Sequence, residues 1–159
     1  MSARLTDQEI AGLLDMPKRL PADYRSRLRM KLKSGHKEAD LDVAGDDGSE
    51  FVVKLRQSAK NPLDFSVVLA YHLPNSNQVF RLRRYNGLSH RHTNRLERER
   101  FFGYHVHTAT ERYQELEGVD EEGFAELSSS YADIDSALEC MIRECGFVIE
   151  GGGHQPLLL

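Results

Sequence analysis

No stretch of this chain approaches the roughly 18 consecutive apolar residues that a helical membrane span requires, and that class is excluded. Cysteine is scarce, with two residues, Cys140 and Cys145. They lie five apart in a segment of helical periodicity, on different faces, so the spacing argues against a mutual disulfide and for a reducing, cytoplasmic setting. The opening residues, Met1-Ser2-Ala3-Arg4-Leu5-Thr6-Asp7, lack the apolar run of a secretory signal. There is no glycine-rich phosphate loop followed by Lys-Ser/Thr, which removes the P-loop class. There is also no internal repeat, which removes solenoids and propellers. At 159 residues the chain suits a single core. The expected organisation is one domain over 1–150 and a flexible tail over 151–159, opened by Gly151-Gly152-Gly153.

The net charge of -4 conceals a segregation. Eight Lys/Arg and one acid, Asp23, lie between Lys18 and Lys37. Eight arginines and three acids lie between Arg81 and Arg112. Eleven acids and a single base, Arg143, lie between Glu115 and Glu150. This pattern favours an anion-binding face opposite an acidic one. If the acidic C-terminal surface of one chain met the basic surface of another, a homodimer would result.

Periodicity gives the elements. Thr6-Asp7-Gln8-Glu9 has the form of a capping box before Ile10, Leu13 and Leu14, which predicts a helix over Leu5–Met16 that Pro17 ends. From Tyr24 the period changes to two. Leu28, Met30 and Leu32 alternate with Arg27, Arg29, Lys31 and Lys33, the pattern of a half-buried strand with a basic outer face. Ala39, Leu41 and Val43 continue the alternation beyond a turn. Phe51–Arg56, Phe65–Tyr71 and Val79–Tyr85 read as further strands, separated by turn residues. Leu88–Phe101 reads as a long loop with a short helix in Asn94–Arg100. Phe102–His107 reads as a sixth strand, and Ala109–Leu116 as helical. Ile134, Ala137, Leu138, Met141, Ile142 and Cys145 form the stripe of a C-terminal helix over Asp133–Cys145, capped at Gly146. The predicted fold is therefore α+β, an antiparallel meander of five or six strands carrying an N-terminal and a C-terminal helix on one face. Leu28, Met30, Leu41, Val43, Val53, Leu55, Val67, Leu69, Leu82, Val106, Leu138 and Ile142 are its expected core.

Four of the seven histidines form two His-x-His pairs, His90-Arg91-His92 and His105-Val106-His107. On a strand His105 and His107 project to one face, while Tyr104, Val106 and Thr108 take the other. The histidines are thus expected on an open side or in a pocket. The strands around Arg81–Tyr85 and His105 follow one another in the chain, so adjacency would bring the pairs together in a basic cleft with Arg84, Arg91 and Arg112. Imidazole titrates near neutral pH and is the commonest metal ligand. Guanidinium is shaped to hold phosphate. Three readings follow. One histidine acts as general base on a ribose hydroxyl and another as general acid, without a cofactor, assisted by the arginines, Tyr104 and Thr108. Alternatively, a transition metal such as zinc sits among His90, His92, His105 and His107. In the third reading the residues form a non-catalytic basic face that holds nucleic acid or a protein. The rigid strand favours His105 and His107 over the loop pair for catalysis.

The run Arg83-Arg84-Tyr85-Asn86-Gly87-Leu88-Ser89-His90-Arg91-His92, followed by His105-Val106-His107, resembles the small TumE-type proteins of bacterial and archaeal toxin–antitoxin loci. The likeness covers about twenty-five residues. Asn86 and Gly87 stand where that family carries Asp-Asn, and the insert between the histidine pairs is longer. The resemblance implies a prokaryotic or phage toxin-like protein acting on RNA or a nucleotide, a ribonuclease or phosphodiesterase, with a cognate antitoxin as partner.

Overall fold

The computed structural model describes residues 4–88, 91–115 and 123–151. It is an α+β fold built on a nine-stranded, mostly antiparallel sheet. At its centre lies the expected meander: β3 (His36–Gly45), β4 (Glu50–Ser58), β5 (Phe65–His72) and β6 (Val79–Asn86), each antiparallel to the next. β-Branched and aromatic residues recur in β4, β5 and β6, where such side chains pack well on a pleated surface, while β3 carries Val43 alone of these. The sheet is larger than the predicted five or six strands. Short strands extend both edges: β9 answers to the expected sixth strand, and the others, of three residues each, are too brief to show periodicity of their own in the sequence. On one side β9 (His105–Thr108) pairs with β6, and β10 (Ala125–Leu127) pairs with β9. On the other, β1 (Lys18–Leu20) and β2 (Lys31–Lys33) both pair with β3, and β11 (Phe147–Ile149) runs parallel to β1.

One face of the sheet is closed by α1 (Asp7–Asp15) and α4 (Ile134–Glu144). Thr6 and Glu9 form the expected capping box on α1, and Ile10 and Leu14 are its buried residues. Asp133 and Ser136 cap α4 reciprocally, and its buried stripe contains Ile134, Ala137, Leu138, Cys140 and Met141. Gly146 follows with φ +76, where a Cβ would come within 2.6 Å of the Met16 carbonyl oxygen. Phe51, Val53, Leu55, Val67, Leu69, Leu82 and Tyr85 supply the sheet side of this core. Both thiols are buried and unpaired with each other. Burial pushes the Cys140 thiol up to about 11, with Glu144 adding to the effect.

Lys18 is fully buried in the same layer. Its Nζ donates to the carbonyl oxygens of Leu13 (2.7 Å), Leu14 (3.0 Å), Met16 (2.9 Å) and Cys145 (2.7 Å). One ammonium thus satisfies the orphan carbonyls at the C-terminal ends of two helices. Burial lowers its pKa to about 8.

Four local expectations are corrected. The segment from Tyr24 to Lys33 is not one strand: Tyr24–Arg27 forms a single helical turn, α2, and only Lys31–Lys33 pairs as β2. Leu32, at 70% exposed, points to solvent, while Leu28 is buried and Met30 packs at the core margin. Residues 92–101 are neither loop nor helix but a hairpin, β7 (His92–Asn94) and β8 (Glu99–Phe101), which forms a separate two-stranded sheet. Leu41, Val106 and Ile142 line the core as partly buried residues rather than as its centre. The helical expectation at Ala109–Leu116 contracts to α3 (Glu111–Gln114). Of the tail, residues 152–159 lie outside the described residues. No helix among the described residues is long and apolar enough to cross a membrane.

Candidate functional site on the open sheet face

The registers define the face opposite the helices, because directly paired residues project to the same side of a sheet. One row across the strands reads Glu38, Arg56, Ser66, Asn86, His105; the neighbouring row reads Asp40, Lys54, Val68, Arg84, His107. A bulge in β6 between the partners of Leu69 and Ala70 resets its alternation. It lets both Arg81 and Arg84 reach this face, while Arg83 turns to the core side beside Glu144 and Thr108.

The basic half of the face is a groove of about 510 Å³, within the usual range for ligand clefts. The chain around α2 and β2 contributes Arg27, Arg29, Lys31 and Lys33; β4 contributes Lys54 and Arg56; β6 contributes Arg81 and Arg84. Only two acids join these eight cations in the lining, Glu38 and Asp40. Glu38 is already engaged with Lys33 (2.9 Å) and His36 (3.0 Å), whose hydrogen bonds hold its carboxyl below the ordinary value. None of the lining residues is aromatic.

The groove's β6 side leads to a cluster of imidazoles. His105 and His107 are 0% and 5% exposed. Of the open side or pocket expected for them, the open side is ruled out, because the β7–β8 hairpin covers them. His92 on β7 stacks on His105 with ring centres 5.4 Å apart and meets His107 edge-on at 4.7 Å. The rings of His105 and His107 are 4.9 Å apart, and Phe101 of β8 packs against both His92 and His105. One nitrogen from each of the three histidines lies within 4.8 Å of the others.

Asparagines orient these rings. Asn94 is held to the β10 main chain, accepting from the Ala125 N–H (2.8 Å) and donating to the Ala125 carbonyl (2.6 Å). Its amide oxygen therefore accepts from His92 Nε2 at 2.8 Å. His105 Nδ1 donates to the Gly103 carbonyl oxygen (2.8 Å), so its Nε2 is the acceptor for Asn86 Nδ2 (3.2 Å). Asn86 Oδ1 in turn accepts from Arg84 Nε (2.8 Å). A chain of hydrogen bonds, Arg84 to Asn86 to His105, thus joins groove to cluster. On the reverse face the Tyr131 hydroxyl reaches the carbonyl oxygens of Asn86 (2.7 Å) and His105 (3.0 Å), fixing the same two strands from behind.

The structure brings together His92, His105, His107 and Arg84 from the residues read off the sequence. His90 lies outside the described residues. Arg91 is exposed at the entry to β7 and is not part of the groove lining. Arg112 lies on α3, paired with Glu97 and stacked over the rings of Tyr113 and Phe124, away from the lining. Tyr104 and Thr108 point to the core side: the Tyr104 hydroxyl donates to the Ala132 carbonyl, and Thr108 accepts from Arg83. The sequence reading missed Asn86 and Asn94 as orienting groups, since single asparagines carry no spacing signal. It also left Lys54 and Arg56 without a role, although their alternation with Val53 and Leu55 places them on the solvent face.

A family model matches residues 5–145, nearly the whole described fold. The chain belongs to DUF6978, a family of unknown function. No curated protein and no solved structure matches it.

Proposed function

We propose that this protein binds RNA through its phosphate backbone along the groove of the open sheet face. The observation that carries the reading is the lining itself, eight Lys/Arg against two acids on one continuous surface. From β2 to β6 the groove spans four strand spacings, roughly 19 Å, which is longer than a single nucleotide needs and suits a polymer. Base recognition on single strands commonly uses aromatic stacking. The lining offers none, so the reading is of contacts to phosphate that tolerate any sequence. Cleavage of the bound RNA by the imidazoles is a narrower proposal. The burial of His105 and His107 beneath the hairpin weighs against it, because a general acid or base must reach the proton it moves. A place in a toxin–antitoxin pair rests on the TumE resemblance alone.

The test is fluorescence anisotropy of a labelled mixed-sequence RNA across 50 to 200 mM salt. Affinity should fall steeply with salt. The double variant Lys54→Glu/Arg56→Glu should weaken binding more than about tenfold at low salt and flatten the log–log slope by about 1.4, at about 0.7 per lost phosphate contact. Its unfolding midpoint should stay near that of the parent, since both side chains are exposed. Absence of binding at 50 mM salt, or equal binding by the double variant, would refute the reading.

A further inference from the structure

We propose that His92, His105 and His107 hold one divalent transition-metal ion of the zinc type, and that the ion locks the β7–β8 hairpin onto the main sheet. The inference stands on the cluster alone and does not depend on RNA in the groove.

Three features support it. First, the three imidazoles converge: their ligating nitrogens lie within 4.8 Å of one another. Around tetrahedral zinc, with Zn–N of about 2.0–2.1 Å, such nitrogens sit roughly 3.3–3.4 Å apart. Second, two of the three rings, His92 and His105, have the outer partners of bound imidazoles. A ligating histidine usually donates its other N–H to a carbonyl or carboxylate, which fixes ring and tautomer. His105 donates from Nδ1 to the Gly103 carbonyl, which directs Nε2 to an ion in place of its long 3.2 Å contact with Asn86. His92 donates from Nε2 to the Asn94 amide oxygen, which leaves Nδ1 for the ion. Third, the donor chemistry fits. Three neutral imidazoles form a set that zinc, nickel, cobalt and copper accept and that magnesium and calcium do not favour.

The consequence follows from where the ligands sit. His105 and His107 belong to β9 of the large sheet, and His92 to the separate two-stranded sheet. An ion among them is a cross-link between the two. The hairpin it secures carries Arg95, Arg98 and Arg100, and its turn spans residues 95–98, with Arg98 at φ +59.

The test uses the full chain stripped by chelator. Cobalt(II), a visible stand-in for zinc, is titrated in and read by absorption, and zinc is titrated by calorimetry. One equivalent should bind. Loss of outer-shell partners alone costs 10–100-fold in affinity, so His107→Ala and His92→Phe should each lower it by more than about 100-fold. His92→Phe keeps a ring beside Phe101 and guards against a variant that simply fails to fold; His36→Gln should bind as the parent does. Trypsin provides the second reading, because the hairpin turn contains Arg95 and Arg98. Zinc should slow cleavage there in the parent and leave the His92→Phe rate unchanged. Failure to bind one equivalent, or full affinity in His92→Phe and His107→Ala, would overturn the site. Binding without protection of the turn would overturn the lock.

Discussion

On the helix-covered face of the sheet the buried cation, Lys18, ends on four main-chain carbonyls. On the opposite face the buried imidazoles of His105 and His107 and the half-buried ring of His92 bring nitrogens towards one another. Both arrangements place polar groups out of water, which costs free energy unless they are satisfied. In the first, every donor is consumed by the fold, and the product is stability. In the second, Gly103 and Asn94 hold the outer nitrogens of His105 and His92, Asn86 contacts His105 Nε2, and the rings converge on a common centre. Buried polarity directed at the backbone marks structure. Buried polarity directed at an internal focus is what the proposed metal site rests on.

The largest expected effect tests the structural half. Lys18→Met keeps an unbranched chain among Phe51, Phe147 and the helix ends but leaves carbonyls of Leu13, Leu14, Met16 and Cys145 without their donor. Leaving a buried acceptor without its donor costs about 1–3 kcal/mol, and several are left here, so the loss should reach about 3 kcal/mol, which for a chain of this size lowers the thermal midpoint by roughly 6 °C or more. Chemical denaturation should show the loss, while RNA affinity of the folded fraction stays unchanged, because Lys18 is not in the groove. A loss below about 1 kcal/mol, the worth of one ordinary hydrogen bond, would break the contrast between the two faces.

A smaller effect lies where the faces meet. Tyr131 packs among Phe65, Tyr85 and Tyr104 on the core side, yet its hydroxyl reaches the carbonyl oxygens of Asn86 and His105. Tyr131→Phe keeps the ring and removes that link. Stability should fall by about 1 kcal/mol, one net hydrogen bond. Cobalt affinity should fall too, by less than tenfold, because the His105 ligand would be less firmly placed. If stability falls and cobalt affinity does not move, the two faces are energetically separate, and the rear brace plays no part in the cluster.

Legibility in the sequence followed the length of the elements. β4, β5, β6, α1 and α4 each hold a period long enough to recognise, and the structure reproduces them within a residue or two. β1, β10 and β11 have three residues each, and their pairing is decided by what the long strands leave exposed at their edges. The alternation from Leu28 to Lys33 looked like one more long strand, but the turn at Tyr24–Arg27 and the exposure of Leu32 show tertiary context overriding local pattern. For the site, strand parity placed His105 and His107 on one face, and chain adjacency placed β9 beside β6. The burial of that face was not legible, because the covering hairpin comes from a polar segment with four arginines, Arg91, Arg95, Arg98 and Arg100, and little hydrophobic signal. The groove was partly legible as charge segregation. Which cations shared it was not, since membership depends on register and on the β6 bulge.

Arg112 provides the finest test of that last point. By composition it belongs with the other arginines of its segment and should help hold an anion. By position it does not. It sits on α3, pairs with Glu97, and lies 5.6 Å over the Tyr113 ring and 5.3 Å over that of Phe124. Its side chain is 54% exposed, so the ion pair is screened and contributes roughly 0–1 kcal/mol. Arg112→Gln should therefore change stability by less than about 1 kcal/mol. It should leave RNA affinity at 150 mM salt within about twofold of the parent, since beyond a Debye length of about 8 Å an exposed charge acts only weakly on a distant ligand. Arg84→Gln, in the groove and bonded to Asn86, should lower RNA affinity severalfold under the same conditions. Equal losses in the two variants would mean that the overall density of arginine, and not the shape of the groove, draws the ligand. A loss confined to Arg84→Gln would place recognition on the open sheet face, beside the imidazoles.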